Sequence, residues 1–234
     1  MKEKLKEVFK EQGFSLNDKQ VEQFLMYYHK MIEVNKVMNL TAITEYEEVL
    51  EKHYLDSVMA SKFVHWKEDA KVLDMGTGAG FPGIPLKILY PNLKVTLVDS
   101  LNKRVKFLND VIAQLGLEGI EAIHARAEEL GRNADYREQF DFCVSRAVAS
   151  LPILLEFCIP FLKKNGCFIA YKSLKANEEI EQSSNALKVL KCQLEANYSF
   201  NLGDSERNLL VIRKKENTPK KYPRKAGTPV KSPL

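Results

Sequence analysis

Two apolar runs, each tipped by an acid and separated by a glycine loop, constrain this chain more than any other feature. The first, Val72–Leu73, ends in Asp74 and opens into a loop with glycine at Gly76, Gly78 and Gly80. A missing Cβ lets the backbone approach a ligand closely and take up turns closed to other residues. The second run, Val95–Val98, ends in Asp99, roughly 20 residues beyond the loop, the distance at which the acid tip of a neighbouring strand can accept hydrogen bonds from a ribose diol. Together they predict a strand–loop–helix–strand unit that holds a nucleoside cofactor. Its candidate binding residues are Asp74, Gly76, Thr77, Gly78, Gly80, Asp99 and Ser100.

The loop admits two cofactor classes. Gly78, Gly80 and Gly83 satisfy the G-x-G-x-x-G spacing of dinucleotide enzymes, so a nicotinamide-dependent oxidoreductase is one reading. In such sites free helix N–H groups face a pyrophosphate, but Pro82 and Pro85 crowd the segment where those groups are needed, and proline has none. An acid at the strand tip suits a cationic cofactor instead, such as S-adenosylmethionine.

The surrounding chain is organised as a helical preface, an α/β core and a basic tail, with boundaries at 1–66, 67–213 and 214–234 of a single domain. Leu5, Val8 and Phe9, then Val21, Phe24, Leu25, Tyr28 and Ile32, recur at helical spacing, with Asn17 or Asp18 as a cap. Strand-like runs at Lys71–Met75, Lys94–Val98, Ile120–Ala125, Phe140–Ser145 and Gly166–Tyr171 alternate with helix-like segments Ile84–Leu89, Leu101–Leu115, Leu151–Leu162 and Ala176–Leu190. That alternation predicts a mostly parallel sheet covered on both faces. Gln193–Phe200 and Leu209–Arg213 are separated only by a polar turn around Gly203, too short for a crossover helix, so the sheet is predicted to end in an antiparallel hairpin.

Composition adds limits. A net charge of +4 confines any nucleic-acid contact to local patches. The four cysteines form no C-x-x-C and the four histidines lack metal-site spacing, so buried reduced thiols, no metal and a cytoplasmic setting are expected. No apolar run reaches the ~20 residues needed to span a bilayer.

Seven segments carry a resemblance to a known family: MNLTAIT (Met38–Thr44), HYLDS (His53–Ser57), DMGTGAGFPGIPL (Asp74–Leu86), VDSLNKRVKFL (Val98–Leu108), RAEE (Arg126–Glu129), SRAVASL (Ser145–Leu151) and KKYPRKAGTPVKSPL (Lys220–Leu234). The chain resembles the bacterial guanine-N7 methyltransferases of small-subunit ribosomal RNA, the glucose-inhibited division protein B family. The resemblance implies a Rossmann-like S-adenosylmethionine-dependent methyltransferase fold with a helical N-terminal extension, and transfer of a methyl group to guanine N7 in 16S ribosomal RNA by a monomer. It also implies that Ala127 and Glu128 border the adenine, that Phe81 closes the loop over the cofactor, and that His53 and Asp56 face the catalytic cleft.

The tip of the fourth predicted strand bears on the reaction. Methylating an exocyclic amine usually calls for an Asn/Asp-Pro-Pro-aromatic loop, where this chain has Ser145-Arg146-Ala147-Val148. Carbon methylation of a pyrimidine needs a cysteine nucleophile, usually after proline, and no cysteine here follows one. Ribose methylation needs a base, and although Lys172 lies near the fifth tip, no acid ends the fourth. An acceptor with a lone pair and no proton to lose, such as guanine N7, fits what remains. Arg146, an unfavourable cation at a helix start, is read as an active-site residue near cofactor and substrate. His53, Asp56 and Lys172 are read as further positioning residues.

In the tail, Lys220, Lys221, Arg224 and Lys225 sit among prolines with Tyr222 as an aromatic face, predicting an extended phosphate-contacting arm. A ribosome-associated RNA-binding module without catalysis is therefore a third functional reading.

Overall fold

The computed structural model describes residues 1–234. Its N-terminal part is helical, with α1 (Lys2–Glu11), α2 (Asp18–Met38), α3 (Tyr46–Val49), a π-helical stretch Leu50–Leu55 and α4 (Asp56–Val58). A capping box starts α2: the Asn17 side chain accepts from the Gln20 backbone N–H, and the Gln20 side chain accepts from that of Asn17. Two of the amides left orphaned at a helix start are thereby satisfied. The buried stripe of α2 is Val21, Phe24, Tyr27 and Met31, with Tyr28 and Ile32 only partly buried beside it. Tyr27 takes the core position that spacing alone assigns to Tyr28 because its hydroxyl donates to the Ala79 carbonyl, 2.5 Å away in the glycine loop.

The strands are β1 (Lys71–Met75), β2 (Lys94–Asp99), β3 (Ile120–His124), β4 (Phe140–Arg146), β5 (Leu162–Lys172), β6 (Cys192–Leu202) and β7 (Ser205–Lys214). They form one seven-stranded sheet of order β3-β2-β1-β4-β5-β7-β6. The first five are parallel, and β7 runs antiparallel to both β5 and β6. The hairpin turns at Gly203, whose φ of +54° favours glycine. Helices α5 (Gly83–Leu89), α6 (Asn102–Gln114), α7 (Ala127–Leu130), α8 (Leu151–Cys158), α9 (Ala176–Gln182) and α10 (Ser184–Val189) follow successive strands. The single helix predicted over Ala176–Leu190 breaks at Ser183, where the hydroxyl donates back to the Glu179 carbonyl at 2.6 Å.

Two apolar cores result, one on each face. The first unites α1 and α2 with α5 and α6, so the helical extension shares its core with the sheet. Gln20 and Gln23 tie α2 further by donating to the carbonyls of Ile88 and Leu115, each at 2.9 Å. The second core holds α8, α10 and, from the tail, Tyr222.

The tail departs from the extended arm predicted for it. Lys214 is 0% exposed and donates to Glu138 and to the carbonyls of Leu162 and Ile159. Arg137 donates to the carbonyls of Thr218 and Tyr222, and the chain ends in a short helix, α11 (Thr228–Lys231). Arg224 grips Glu156 through Nε and Nη2, at 3.0 and 2.7 Å. Its guanidinium is committed to that carboxylate, which corrects its assignment as a phosphate contact. Lys220, Lys221 and Lys225 remain exposed.

Gly83 serves packing. A Cβ there would fall on Leu97 and the Asp74 carboxylate, so Gly83→Ala is expected to lower stability by about 1–3 kcal/mol. Urea denaturation checks this, and an unchanged midpoint would mean that α5 can shift to make room.

Candidate active site

The carboxyl edge of the parallel strands carries the candidate residues, and the strand order reverses between β1 and β4, the switch point at which such sheets bind ligands. At the tip of β1, Asp74 is 0% exposed. Its Oδ2 accepts from the Thr77 hydroxyl at 2.7 Å and from the Gly83 N–H at 2.8 Å, while Oδ1 has no partner. Burial pushes its carboxyl up to about 7, against those two hydrogen bonds. Asp74 and Thr77 therefore shape the loop from within.

Gly76 and Thr77 donate to the Val98 carbonyl at 2.9 and 3.1 Å, closing the loop onto β2. Gly78, with φ +62°, has open space where a Cβ would stand, and its N–H donates to Asp99 Oδ2 at 3.0 Å. Asp99 Oδ1 accepts from the Leu101 N–H at 2.9 Å, so this one carboxylate joins the two loops. Ser100 is exposed beside it. Ala127 and Glu128 begin the turn after β3, and Glu128 Oε1 accepts from the Gly227 N–H at 2.9 Å.

On the other side of β1 the tip of β4 meets the helical extension. Arg146 Nη1 donates to Asp56 Oδ2 at 2.6 Å and to the Lys52 carbonyl at 3.1 Å, and Nη2 lies 3.2 Å from His53 Nδ1. Because a guanidinium only donates, Nδ1 must accept, so the proton sits on Nε2 and is donated to Thr41 Oγ1, 2.8 Å away. Burial and the Arg146 charge hold this imidazole neutral, its pKa down to about 3. Thr41 is itself fixed by Asn35, whose side chain bonds both its N–H and its carbonyl. His53 and Asp56, three residues apart, do not pair with each other; both converge on Arg146.

Phe81 lies beneath this cluster. Its ring stacks on His53 at 4.4 Å, and the Arg146 guanidinium stands 5.1 Å from the ring centre. It is 6% exposed, so it closes the seam between the glycine loop and the helical extension rather than the loop's open side. Lys172 also differs from expectation. Its Nζ is 2.6 Å from Glu179 and donates to the Ala149 carbonyl at 2.7 Å, which makes it an anchor of the β4–α8 loop rather than a free amine for substrate. In that loop Ala147 has φ +57°, and Val148 lies over Gly76, where a Cβ would meet it.

These groups border a cleft of about 620 Å³ whose lining includes His53, Asp56, Arg146, Arg207 and Phe200. Arg207, on β7, donates through Nε to Asp56 Oδ1 at 3.1 Å. Neither Arg207 nor Lys52 is legible as a site residue in the sequence. Thr41 carries a signal only through the MNLTAIT segment.

The parallel sheet with its antiparallel hairpin, and the glycine loop joined to an acid tip, define the class of Rossmann-like methyltransferase folds. Solved structures agree: a SAM-dependent methyltransferase from Aquifex aeolicus superposes with a TM-score of 0.53 at 19% identity, covering 70% of this chain and 92% of that one. TrmN from Thermus thermophilus gives 0.53 at 16% identity, covering 70% and 53%. Within that class, the family described as rRNA small subunit methyltransferase G matches residues 20–210, and the chain belongs to it. The ribosomal RNA small subunit methyltransferase G of Lachnoclostridium phytofermentans is 55% identical over 95% of this chain and 93% of its own length. That of Bacillus velezensis is 49% identical over 96% and 95%.

The neutral His53 has a measurable consequence. Unfolded, its imidazole takes up a proton near pH 6.5, whereas the folded protein refuses one until about pH 3. This contribution to stability is therefore complete above pH 6.5 and lost as pH falls towards 3. Asp74 has the opposite sign, since its raised pKa makes the fold lose stability as pH rises from about 4 to about 7. Going from pH 7 to pH 5, the denaturation midpoint of His53→Gln should accordingly shift in the stabilising direction relative to that of the parent. Identical pH dependence in the two would show that His53 is charged in the folded protein.

Proposed function

We propose that this chain transfers the methyl group of S-adenosylmethionine to N7 of a guanine in 16S ribosomal RNA of the small subunit. The observation that carries the reading is the division of one edge: a nucleoside-shaped series of tips on β1, β2 and β3, and a cation-lined cleft at β4, β5 and β7, meeting at the switch point. Family membership supplies the acceptor class, and the relatives' description names the small-subunit ribosomal RNA.

The residues fit this cofactor. Open space at Gly78 leaves room for a ligand against the backbone, and the unpartnered Asp74 Oδ1 is a buried acceptor available to a cationic group. Gly76, Thr77, Gly78 and Gly80 would line its amino-acid end, Asp99 and Ser100 its ribose, and Ala127 and Glu128 its adenine. Asp99 Oδ1 accepts only the Leu101 N–H and so retains acceptor capacity for a ribose hydroxyl, whereas Oδ2 takes both the Gly78 N–H and Arg104 Nη1, the latter at 3.4 Å. When bound, the cofactor supplies an electrophilic methyl group on a sulfonium.

This chain's own contribution is orientation. Arg146 uses three N–H donors on Lys52, Asp56 and His53, which leaves two of its five for a ligand. Donation to guanine O6 would hold the neighbouring N7 with its lone pair free. Both nitrogens of His53, both oxygens of Asp56 and the Lys172 amine are committed to protein partners, and Glu179, the other carboxylate of the cleft, is held through Oε2 by Lys172 and the Leu151 N–H. N7 needs no general base, and proximity with exclusion of water carries the step.

Single-turnover methylation of ribosomal RNA from cells lacking the gene, with nucleoside mass spectrometry for 7-methylguanosine, tests this. The rate should vary little between about pH 6.5 and 9, because no proton leaves the acceptor. A tenfold rise per pH unit would point to a required base and another acceptor atom. Gly78→Val should abolish cofactor binding by filling the open space, and wild-type affinity in that folded variant would remove the site.

Lys220, Lys221 and Lys225 remain the proposed phosphate contacts. Replacing all three with glutamine should weaken RNA binding and flatten its dependence on salt by about 2–3 units of log–log slope. An unchanged slope would place the RNA elsewhere on the surface.

A further inference from the structure

The C-terminal segment is anchored more firmly than the phosphate contacts proposed for its lysines require. Arg224 holds Glu156, a carboxylate 1% exposed, and its own backbone N–H donates to the same group at 2.6 Å. Arg132 donates to the Pro223 carbonyl at 2.8 Å. A mobile phosphate-binding arm needs none of these contacts. The segment seals the second core through Leu234 and through Tyr222, the tail's buried aromatic residue. The chain continues past it, and at Gly227 it reaches Glu128, on the edge that carries the cofactor tips. Gly227 has φ +82°, a conformation that favours glycine, so the turn presenting this N–H depends on the residue type.

The position of Glu128 follows from the sheet. Tips succeed one another from the glycine loop at β1 to Asp99 at β2 to the end of β3, where Asp99 pairs with His124 and its carbonyl accepts from the Ala125 N–H at 3.1 Å. A nucleoside with its ribose at Asp99 and its amino-acid end at the loop must extend its base towards the turn that contains Ala127 and Glu128. There, Glu128 Oε1 is taken by Gly227, and Oε2 has no protein partner.

We propose that the C-terminal strap is part of the adenine subsite: Gly227 fixes the Glu128 carboxylate so that Oε2 accepts a hydrogen bond from the exocyclic amine of the base. This rests on the cofactor reading above. Glutamate loses much rotamer freedom when it is ordered, and the strap removes that freedom before the ligand arrives. By linkage, bound cofactor must stabilise the docked strap to the same extent.

Hydrogen exchange on the full-length protein, with and without saturating S-adenosylhomocysteine, tests the coupling without any variant. Slower exchange is expected both in peptides covering the glycine loop and in those covering residues 224–231. Calorimetry then compares S-adenosylhomocysteine with S-inosylhomocysteine, which carries a carbonyl in place of the amine. The parent should prefer the adenosyl ligand. An Arg224→Met, Glu156→Gln double variant, which loosens the strap without stranding a buried charge, should bind it about fivefold to tenfold more weakly and lose most of the preference. Protection of the glycine loop with unchanged exchange in the strap would overturn the proposal and leave the cofactor site standing. So would an undiminished adenosyl preference in the folded double variant. Failure of S-adenosylhomocysteine to bind the parent at all would overturn the cofactor reading and this proposal with it.

Discussion

Asp56 is the carboxylate on which the cleft at β4 and β7 turns. It begins α4 in the helical extension, takes Arg146 from the tip of β4 on one oxygen and Arg207 from β7 on the other, and is 6% exposed. Two guanidiniums on one carboxylate leave a net positive charge at the cleft. As a contribution to stability such a cluster is modest, because desolvation offsets much of the attraction. Its effect is on geometry. With Asp56 removed, two partly buried cations would face each other unpaired. With it in place, Arg146 is fixed, the tautomer of His53 follows, and Phe81 is held between the imidazole and Tyr27. Tyr27 in turn holds the glycine loop through Ala79. A contact between two distant segments thus sets the shape of a loop to which neither belongs.

The glycine loop is consequently supported from both sides of the sheet edge. Asp74 organises it from below, at the cost of a buried carboxyl with one orphaned oxygen. Asp99 ties its Gly78 N–H to the tip of β2. On the cleft side, Val148 lies over Gly76 in a loop that Lys172 and Glu179 anchor, Lys172 through Ala149 and Glu179 through the Leu151 N–H. The glycine loop and the cleft at Arg146 therefore share a wall of backbone that these side chains hold in place.

The strands were legible because apolar runs between polar and glycine-rich segments leave little freedom in where a strand lies. β1 has the predicted limits, and the hairpin followed from the short turn at Gly203. The glycine loop and its Asp99 partner were legible for the same local reason. Long-range pairing of charges was not. Arg224 and Glu156 are 68 residues apart, and Arg207 and Asp56 are 151 apart. In a sequence each reads as a solvated ion, the usual fate of such residues. Proline spacing in the tail suggested an extended arm, yet the same prolines suit a strap that turns repeatedly over a fixed surface. His53 and Asp56 were legible only through the HYLDS segment, and their convergence on Arg146 of β4 depends on the π-helical stretch that holds His53.

The sheet alone does not define this protein. Solved structures at 16–19% identity match it over 70% of the chain, whereas the ribosomal RNA small subunit methyltransferase G relatives match over 95–96%. A bare methyltransferase sheet requires neither the helical extension nor the tail. The extension supplies His53 and Asp56, and so determines what Arg146 can reach. The tail supplies Gly227 to a residue on the opposite half of the edge. At this edge the extension thus holds both the Arg146 cluster and, through Tyr27, the glycine loop, while the tail holds Glu128 after β3.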